Sequence, residues 1–232
     1  MRPFIGPMLL GEAFEAEPGQ VELTNTSATQ QSREFIVPPG VYSICAVAVG
    51  RGGDSRTSDD GQSSGGGGGG GLMYANDIPV VPGQRLLLVV GGTGAWLQST
   101  GEAAAFLIGA TNGAAASASG TGGSLNAPGG TGLSSATAAG RTSYNGGSGR
   151  RWNGATRGGG GGAASYTGNG GAGSANSNAN GAARSLKGSN GGSLVLCGSG
   201  LGGAAGGGIN RQGGVRVIWG KGRSYPANAL DV

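Results

Sequence analysis

The sequence predicts an all-β protein: small β-sandwich-like strands combined with packed polyglycine helices of the polyproline II type and long glycine-rich loops, with essentially no α-helix. Three observations predict it. Glycine supplies 57 and proline 9 of the 232 residues, about 28% where about 12% is ordinary. That density breaks helices, because each interior Gly costs about 1 kcal/mol relative to Ala. The apolar residues fall in short runs bounded by Gly or Pro-Gly, the signature of strands. A strand pattern also lies beyond the last glycine tract, so the tracts belong inside a domain.

In chain order, residues 1–34 read as an irregular arm of ordinary composition, with VELTN (21–25) as a strand candidate. Pro3, Gly6 and Pro7 break its start and acids follow from Glu12, which does not fit a signal peptide. Phe4, Ile5, Met8, Leu9, Leu10 and Phe14 are its apolar points. Exposed, they would be a liability, so they are candidates for attachment to another protein. Residues 35–226 form the glycine-rich domain, and 227–232 a C-terminal tail.

The domain begins with two related units. Val37-Pro-Pro-Gly40 leads into residues 41–49 and stops at Gly50; Val81-Pro-Gly83 leads into residues 85–90 and stops at Gly91. Pro-Gly fits the two central positions of a type II turn, since Pro fixes φ and Gly accepts φ > 0. VYSICAVAV and RLLLVV are apolar on both faces and predict strands buried on both sides. Shorter strands are expected at FIV (35–37), LMYA (72–75), FLI (106–108), LVLC (194–197) and VRVIW (215–219). In the last, Val215, Val217 and Trp219 share one face, with Arg216 and Ile218 on the other.

Residues 50–214 hold 51 of the glycines, including the unbroken runs Gly65–Gly71 and Gly158–Gly162. No strict G-X-Y period is present, which excludes a collagen triple helix. The tracts can be flexible linker or extended helices of three residues per turn, in which seven glycines span roughly 22 Å. The packed form is favoured because core strands bound the tracts on both sides. Such helices have no internal hydrogen bonds and must bond to neighbours, and only glycine lets backbones approach closely enough. Those bonds must offset the large entropy each Gly loses.

The absences bound the chemistry. There is no His, which removes Ser-His-Asp and Cys-His nucleophile activation. Cys45 and Cys197 lie in apolar runs and read as buried free thiols. Residues 1–102 carry net charge −5 and residues 103–232 carry +9, with no acid between Glu102 and Asp231. Paired-carboxylate chemistry is therefore unavailable in the second half. LLLVVGGTGAW (86–96) imitates a dinucleotide-binding turn, but Leu97 stands where the third Gly is required and no acid follows about 20 residues later, there being none from 103 to 230. Asp59-Asp60 reads as a solvated turn. No enzyme, cofactor or metal site is expected, and no membrane insertion. The arginines are too scattered for nucleic-acid binding.

Recognition residues are expected among the aromatics and arginines of the glycine-rich half. Trp96, Tyr144, Trp152 and Tyr166 lie in Gly/Ser/Asn sequence without an apolar period, and Arg150, Arg151 and Arg157 surround Trp152. Trp, Tyr and Arg dominate interface energetics, and rigid aromatics among Ser, Gly and Asn are typical of recognition loops.

The motifs F-x-V-P-P-G-V-x-x-I (35–44), I-x-V-x-P-G-Q-x-L (78–86) and the closing G-G-V-R-V-I-W-G-K-G-R-S-Y-P (213–226), with the polyglycine middle, resemble the glycine-rich proteins of bacteriophage tail fibres and tail tips. The resemblance implies a virion component with polyglycine helices layered beneath receptor-binding loops. It implies as partners other virion proteins, through residues 1–34, and a host surface receptor, protein or glycan, with self-association in the particle an option. A purely structural decoration or connector is the alternative. An ice-binding or cell-wall glycine-rich protein is a third reading, which a thermal-hysteresis assay separates.

Overall fold

The computed structural model describes residues 16–25, 27, 29–54, 56–57, 63–101, 104–116, 127–153, 160–173 and 212–232. They carry twelve strands and no helix: β1 (Gly19–Asn25), β2 (Gln31–Ile36), β3 (Ser43–Val49), β4 (Arg56–Thr57), β5 (Ser63–Gly65), β6 (Leu72–Pro79), β7 (Arg85–Gly91), β8 (Gly94–Ser99), β9 (Phe106–Thr111), β10 (Thr142–Tyr144), β11 (Arg151–Asn153) and β12 (Gly213–Trp219). One antiparallel sheet has the order β1-β12-β3-β6-β10, a second β2-β7-β8-β9, and a short third β11-β5-β4. The class is all-β.

The first two sheets pack face to face. Ile44, Ala46 and Ala48 of β3 with Val215 and Val217 of β12 meet Leu86, Leu88 and Val90 of β7, Leu97 of β8 and Ile108 of β9. The alternate residues Cys45, Val47, Val49 and Ile218 point to the outer face and are buried there too, under Ala164, Tyr166, Tyr225 and Ala229. The period-2 alternation explains both sets, and it splits VRVIW between faces as its pattern requires. β7 departs from the expected double burial: Val89 is buried but Leu87 only partly, because among the described residues no layer comparable to that over β3 covers it. LVLC (194–197), and Cys197 with it, lies outside the described residues.

Both Pro-Gly turns form. Gly40 has φ 78° and Gly83 φ 82°, and the closing bonds run from Val41 N–H to Pro38 O at 3.2 Å and from Gln84 N–H to Val81 O at 2.9 Å. The turns also meet each other: Val37 N–H donates to Gln84 O and Gly83 N–H to Val37 O. The dinucleotide-like segment is a β7–β8 hairpin, with Gly91 paired to Gly94 and Gly92 at φ 51°, so no helix follows the strand.

Contacts cross both expected boundaries, 34/35 and 226/227. β1 pairs along its whole length with β12, and β2 with β7. Residues 19–34 therefore belong to the sandwich. Ala229 is buried, and its carbonyl accepts a hydrogen bond from Arg216 Nη2 at 3.2 Å, so the last residues are part of the fold as well. Phe4, Ile5, Met8, Leu9, Leu10 and Phe14 lie outside the described residues.

Candidate functional site

Between the strands, extended passages run back and forth from one end of the first sheet. They are residues 50–54, 66–71, 112–116, 127–131, 145–150, 160–164 and 170–173, joined to one another by backbone hydrogen bonds. Around the 66–71 passage the partners recur every third residue. Gly66 and Gly69 donate to Arg150 O and Gly147 O; Gly68 and Gly71 donate to Ala114 O and Thr111 O. Gly67 O and Gly70 O accept from Gly161 and Ala164; Gly68 O and Gly71 O accept from Gly53 and Gly50. An added Cβ at Gly67, Gly68, Gly69 or Gly70 would stand 1.9–2.1 Å from a neighbouring carbonyl oxygen. Glycine is required there for this close approach, which any side chain would block.

The near end of this array, at Gly50, Gly71 and Thr111, joins β3, β6 and β9. Its far end carries β4, β5 and β11, with Ala116 N–H bonded to Asp54 O and Gly149 N–H to Ala127 O. At about 3.1–3.4 Å per extended residue, Gly66 and Gly71 are roughly 15 Å apart.

The expected recognition residues fall in three places. Trp96 is not in a loop but in β8, half-buried, with its Nε1–H on Gln98 Oε1 at 3.1 Å and its ring edge-on to Phe106 at 5.9 Å. Tyr144 lies in β10 and packs, partly buried, over the first sheet. Tyr166, expected in an exposed loop, is corrected: it is 4% exposed and stacks on Tyr225 at 6.0 Å. It packs with Ala164 and Tyr225 on the outer face of the first sheet. Arg150 is exposed at the array's far end, and β11 places the backbone of Arg151 and Trp152 beside it, paired with Gly65 and Ser64. The side chains of Arg151 and Trp152, and all of Arg157 and Asp59-Asp60, lie outside the described residues.

At the opposite end of the first sheet is a groove of about 510 Å³, which sequence reasoning missed. It lies where β3 and the closing motif meet, and Tyr42, Asp77, Trp219 and Ser224 are among its lining residues. The closing motif is held there by a two-way amide pair: Asn76 Nδ2 donates to Tyr225 O and Tyr225 N–H donates to Asn76 Oδ1, both at 2.8 Å. The Cys45 thiol is free and buried and donates to Arg223 O at 3.4 Å; burial pushes its pKa up. Arg223 binds the carbonyls of Gly19 and Leu230, and burial lowers its pKa, with the nearby Arg216 adding to the effect.

Tyr225 is 3% exposed, and its hydroxyl has no hydrogen-bond partner among the described residues. Burial holds its pKa far above the ordinary 10.0. The unfolded chain can ionise Tyr225 above pH 10 while the native state cannot. The protonated phenol therefore favours folding below that pH, and its contribution is lost as pH rises, by about 1.4 kcal/mol at pH 11. Tyr225→Phe is expected to fold at least as stably as wild type at pH 8, since no hydrogen bond is lost, and to lose less stability between pH 8 and 11. Denaturant melts across that range test it; parallel pH curves for the two proteins would refute it.

No family model matches the chain, and no curated protein matches it.

Proposed function

We propose that this chain is a non-enzymatic protein of the bacteriophage virion exterior, at a fibre or tail tip, which binds the host cell surface through loops carried on a glycine-rich scaffold. The observation that carries the reading is the array. Six of its seven passages end in pairs at the far end, so the connections 55–65, 117–126 and 151–159 have both stems held by backbone hydrogen bonds. A scaffold of that kind lets loop sequence vary without loss of the fold, which suits recognition. The three-residue recurrence of partners supports packed polyglycine helices of the polyproline II type. The closing motif, which resembles those of glycine-rich tail-fibre and tail-tip proteins, supports a virion component, and residues 1–15 are the proposed attachment to other virion proteins.

Arg150 is exposed at this end, beside the strand that carries Trp152. Single exposed charge pairs contribute about 1 kcal/mol or less, whereas an aromatic anchor contributes about 2 kcal/mol or more. Trp152→Ala is therefore expected to weaken adsorption to host cells more than Arg157→Ala or Arg150→Ala, with the melting temperature unchanged in all three. Adsorption of purified protein or of particles carrying each variant measures this. Wild-type adsorption by all three would leave the purely structural reading, a decoration or connector, in its place.

A further inference from the structure

We infer that the groove at the end of the first sheet opposite the glycine array is a saccharide-binding site, in which the Asp77 carboxylate accepts sugar hydroxyls and the rings of Tyr42 and Trp219 cover the sugar's C–H faces. This site is distinct from the array end, and its chemistry does not depend on the surface-binding reading.

The first support is the backbone at Asp77. Between Ile44↔Ile78 and Ala46↔Ala75 the β3–β6 ladder shifts register, so that Asn76 and Asp77 together oppose Cys45. Bulges of this kind bend a strand and re-aim a side chain, and they are frequent beside functional sites. Asp77 takes φ 54°, the one positive φ at a non-glycine among the described residues. Such a conformation persists only where the surroundings hold it, and here the Asn76–Tyr225 pair holds the adjacent residue. The outcome is an exposed carboxylate at the groove that accepts no hydrogen bond and forms no ion pair among the described residues. Asp77 and Cys45 line the same groove.

The second support is the aromatic lining. Tyr42 is 69% exposed, with its backbone fixed by the bond from Val80 N–H to its carbonyl at 3.0 Å. Trp219 is held from behind, stacked on Phe35 at 5.2 Å and with Nε1–H on Glu17 O at 3.0 Å. The Trp219 ring is thus positioned before any ligand arrives, which lowers the entropy lost on binding, and Tyr42 presents an exposed ring beside it. Gly40, Gly220 and Gly222 leave the groove open, and Ser43 and Ser224 add small polar residues.

The chemistry selects the ligand class. An ionised carboxylate is acceptor-only, with two oxygens able to take adjacent hydroxyls, in charge-assisted hydrogen bonds stronger than neutral ones. A purely apolar ligand would strip water from Asp77 with no compensation. Lys221 and Arg223 also line the groove, so its charge is mixed, and Arg223 is engaged by the carbonyls of Gly19 and Leu230. A neutral pyranoside offers both hydroxyl donors and an apolar ring face, and the volume lies within the range of small-ligand sites, about 300–1,000 Å³.

The test uses the full chain and a panel of methyl pyranosides and short oligosaccharides of glucose, galactose, mannose, rhamnose and N-acetylglucosamine, read by saturation-transfer NMR and titration. At least one is expected to bind saturably. Asp77→Gly keeps the backbone, because glycine accepts φ 54° without a Cβ penalty, and is expected to melt at or above wild type while binding about tenfold or more weakly. Tyr42→Ala is expected to lose binding similarly with an unchanged melt. The inference is overturned if no panel member binds wild type, if both variants bind as wild type does, or if Asp77→Gly melts below it. Cell adsorption by a wild type that ignores the panel would leave the array-end reading standing and remove this one.

Discussion

Gly69→Ala is expected to unfold the protein or to destabilise it by several kcal/mol, whereas Gly171→Ala is expected to be accepted. A Cβ at Gly69 would stand 2.0 Å from Gly162 O and 2.4 Å from its carbonyl carbon. Both are backbone atoms, so no side chain can rotate away; the 160–164 passage must move. Four bonds depend on its position: Gly147 N–H to Gly162 O at 2.8 Å, Gly162 N–H to Gly171 O at 2.8 Å, Gly161 N–H to Gly67 O at 2.9 Å, and Ala164 N–H to Gly70 O at 3.0 Å. At about 0.5–1.5 kcal/mol each, their loss costs about 2–6 kcal/mol, which reaches the lower end of an ordinary domain's stability, about 5–15 kcal/mol. The reduced entropy of an unfolded chain with Ala returns only about 0.4–1 kcal/mol. An added Cβ at Gly171 meets nothing within 4 Å, so there the entropy term acts alone and the variant should be slightly more stable. Thermal and denaturant melts of the two variants decide it. Equal melting would mean that the array is not close-packed.

Arg216→Ala is the second large effect, expected to cost about 2–5 kcal/mol, the range for truncating a large buried side chain to Ala. Arg216 is 1% exposed. Its Nη1 donates to Glu22 Oε2 at 2.8 Å and its Nη2 to Asp231 Oδ1 at 2.8 Å and Ala229 O at 3.2 Å. Burial alone would lower its pKa, but the bonds to Asp231 and Glu22 outweigh that and raise it. The guanidinium therefore ties β1, β12 and the C-terminal segment together. Alanine leaves a void and releases that segment. Arg216→Met should recover much of the loss, because it refills the volume. Arg216 Nε already lacks a partner among the described residues, and Glu22 and Asp231, 35% and 51% exposed, can turn to water. Deleting residues 227–232 should cost a similar amount, since it removes the Ala229, Leu230 and Asp231 partners of both Arg216 and Arg223. Urea denaturation of the four proteins measures this, and an Ala variant within about 1 kcal/mol of wild type, inside the range of ordinary surface substitutions, would refute it.

Local chemistry was legible in the sequence. Pro39-Gly40 and Pro82-Gly83 specified their turns because Pro fixes φ and Gly accepts a positive one. Val215, Ile218 and the residues of β3 specified their faces because strand side chains alternate. The burial of Cys45 followed from its apolar neighbours. The place of β1 and β2 was not legible, since they owe their positions to partners about 50 to 200 residues away.

The candidate sites divide in the same way. Sequence reading selected Trp96, Tyr144 and Tyr166 by residue type, but tertiary packing put them into strands or the interior. The position of Arg150 at the array's far end depends on which passage Gly66 bonds to. The groove depends on a one-residue bulge at Asp77 and on an amide pair between Asn76 and Tyr225, residues 149 apart in the chain. By itself, then, the sequence determined the class, the turns and the strand faces, all set by dihedral preference and period 2 within a few residues. Only the tertiary structure decided which glycine passage lies against which, because a residue without a side chain carries no mark of its neighbour and its partner is chosen by backbone approach and hydrogen bonding alone.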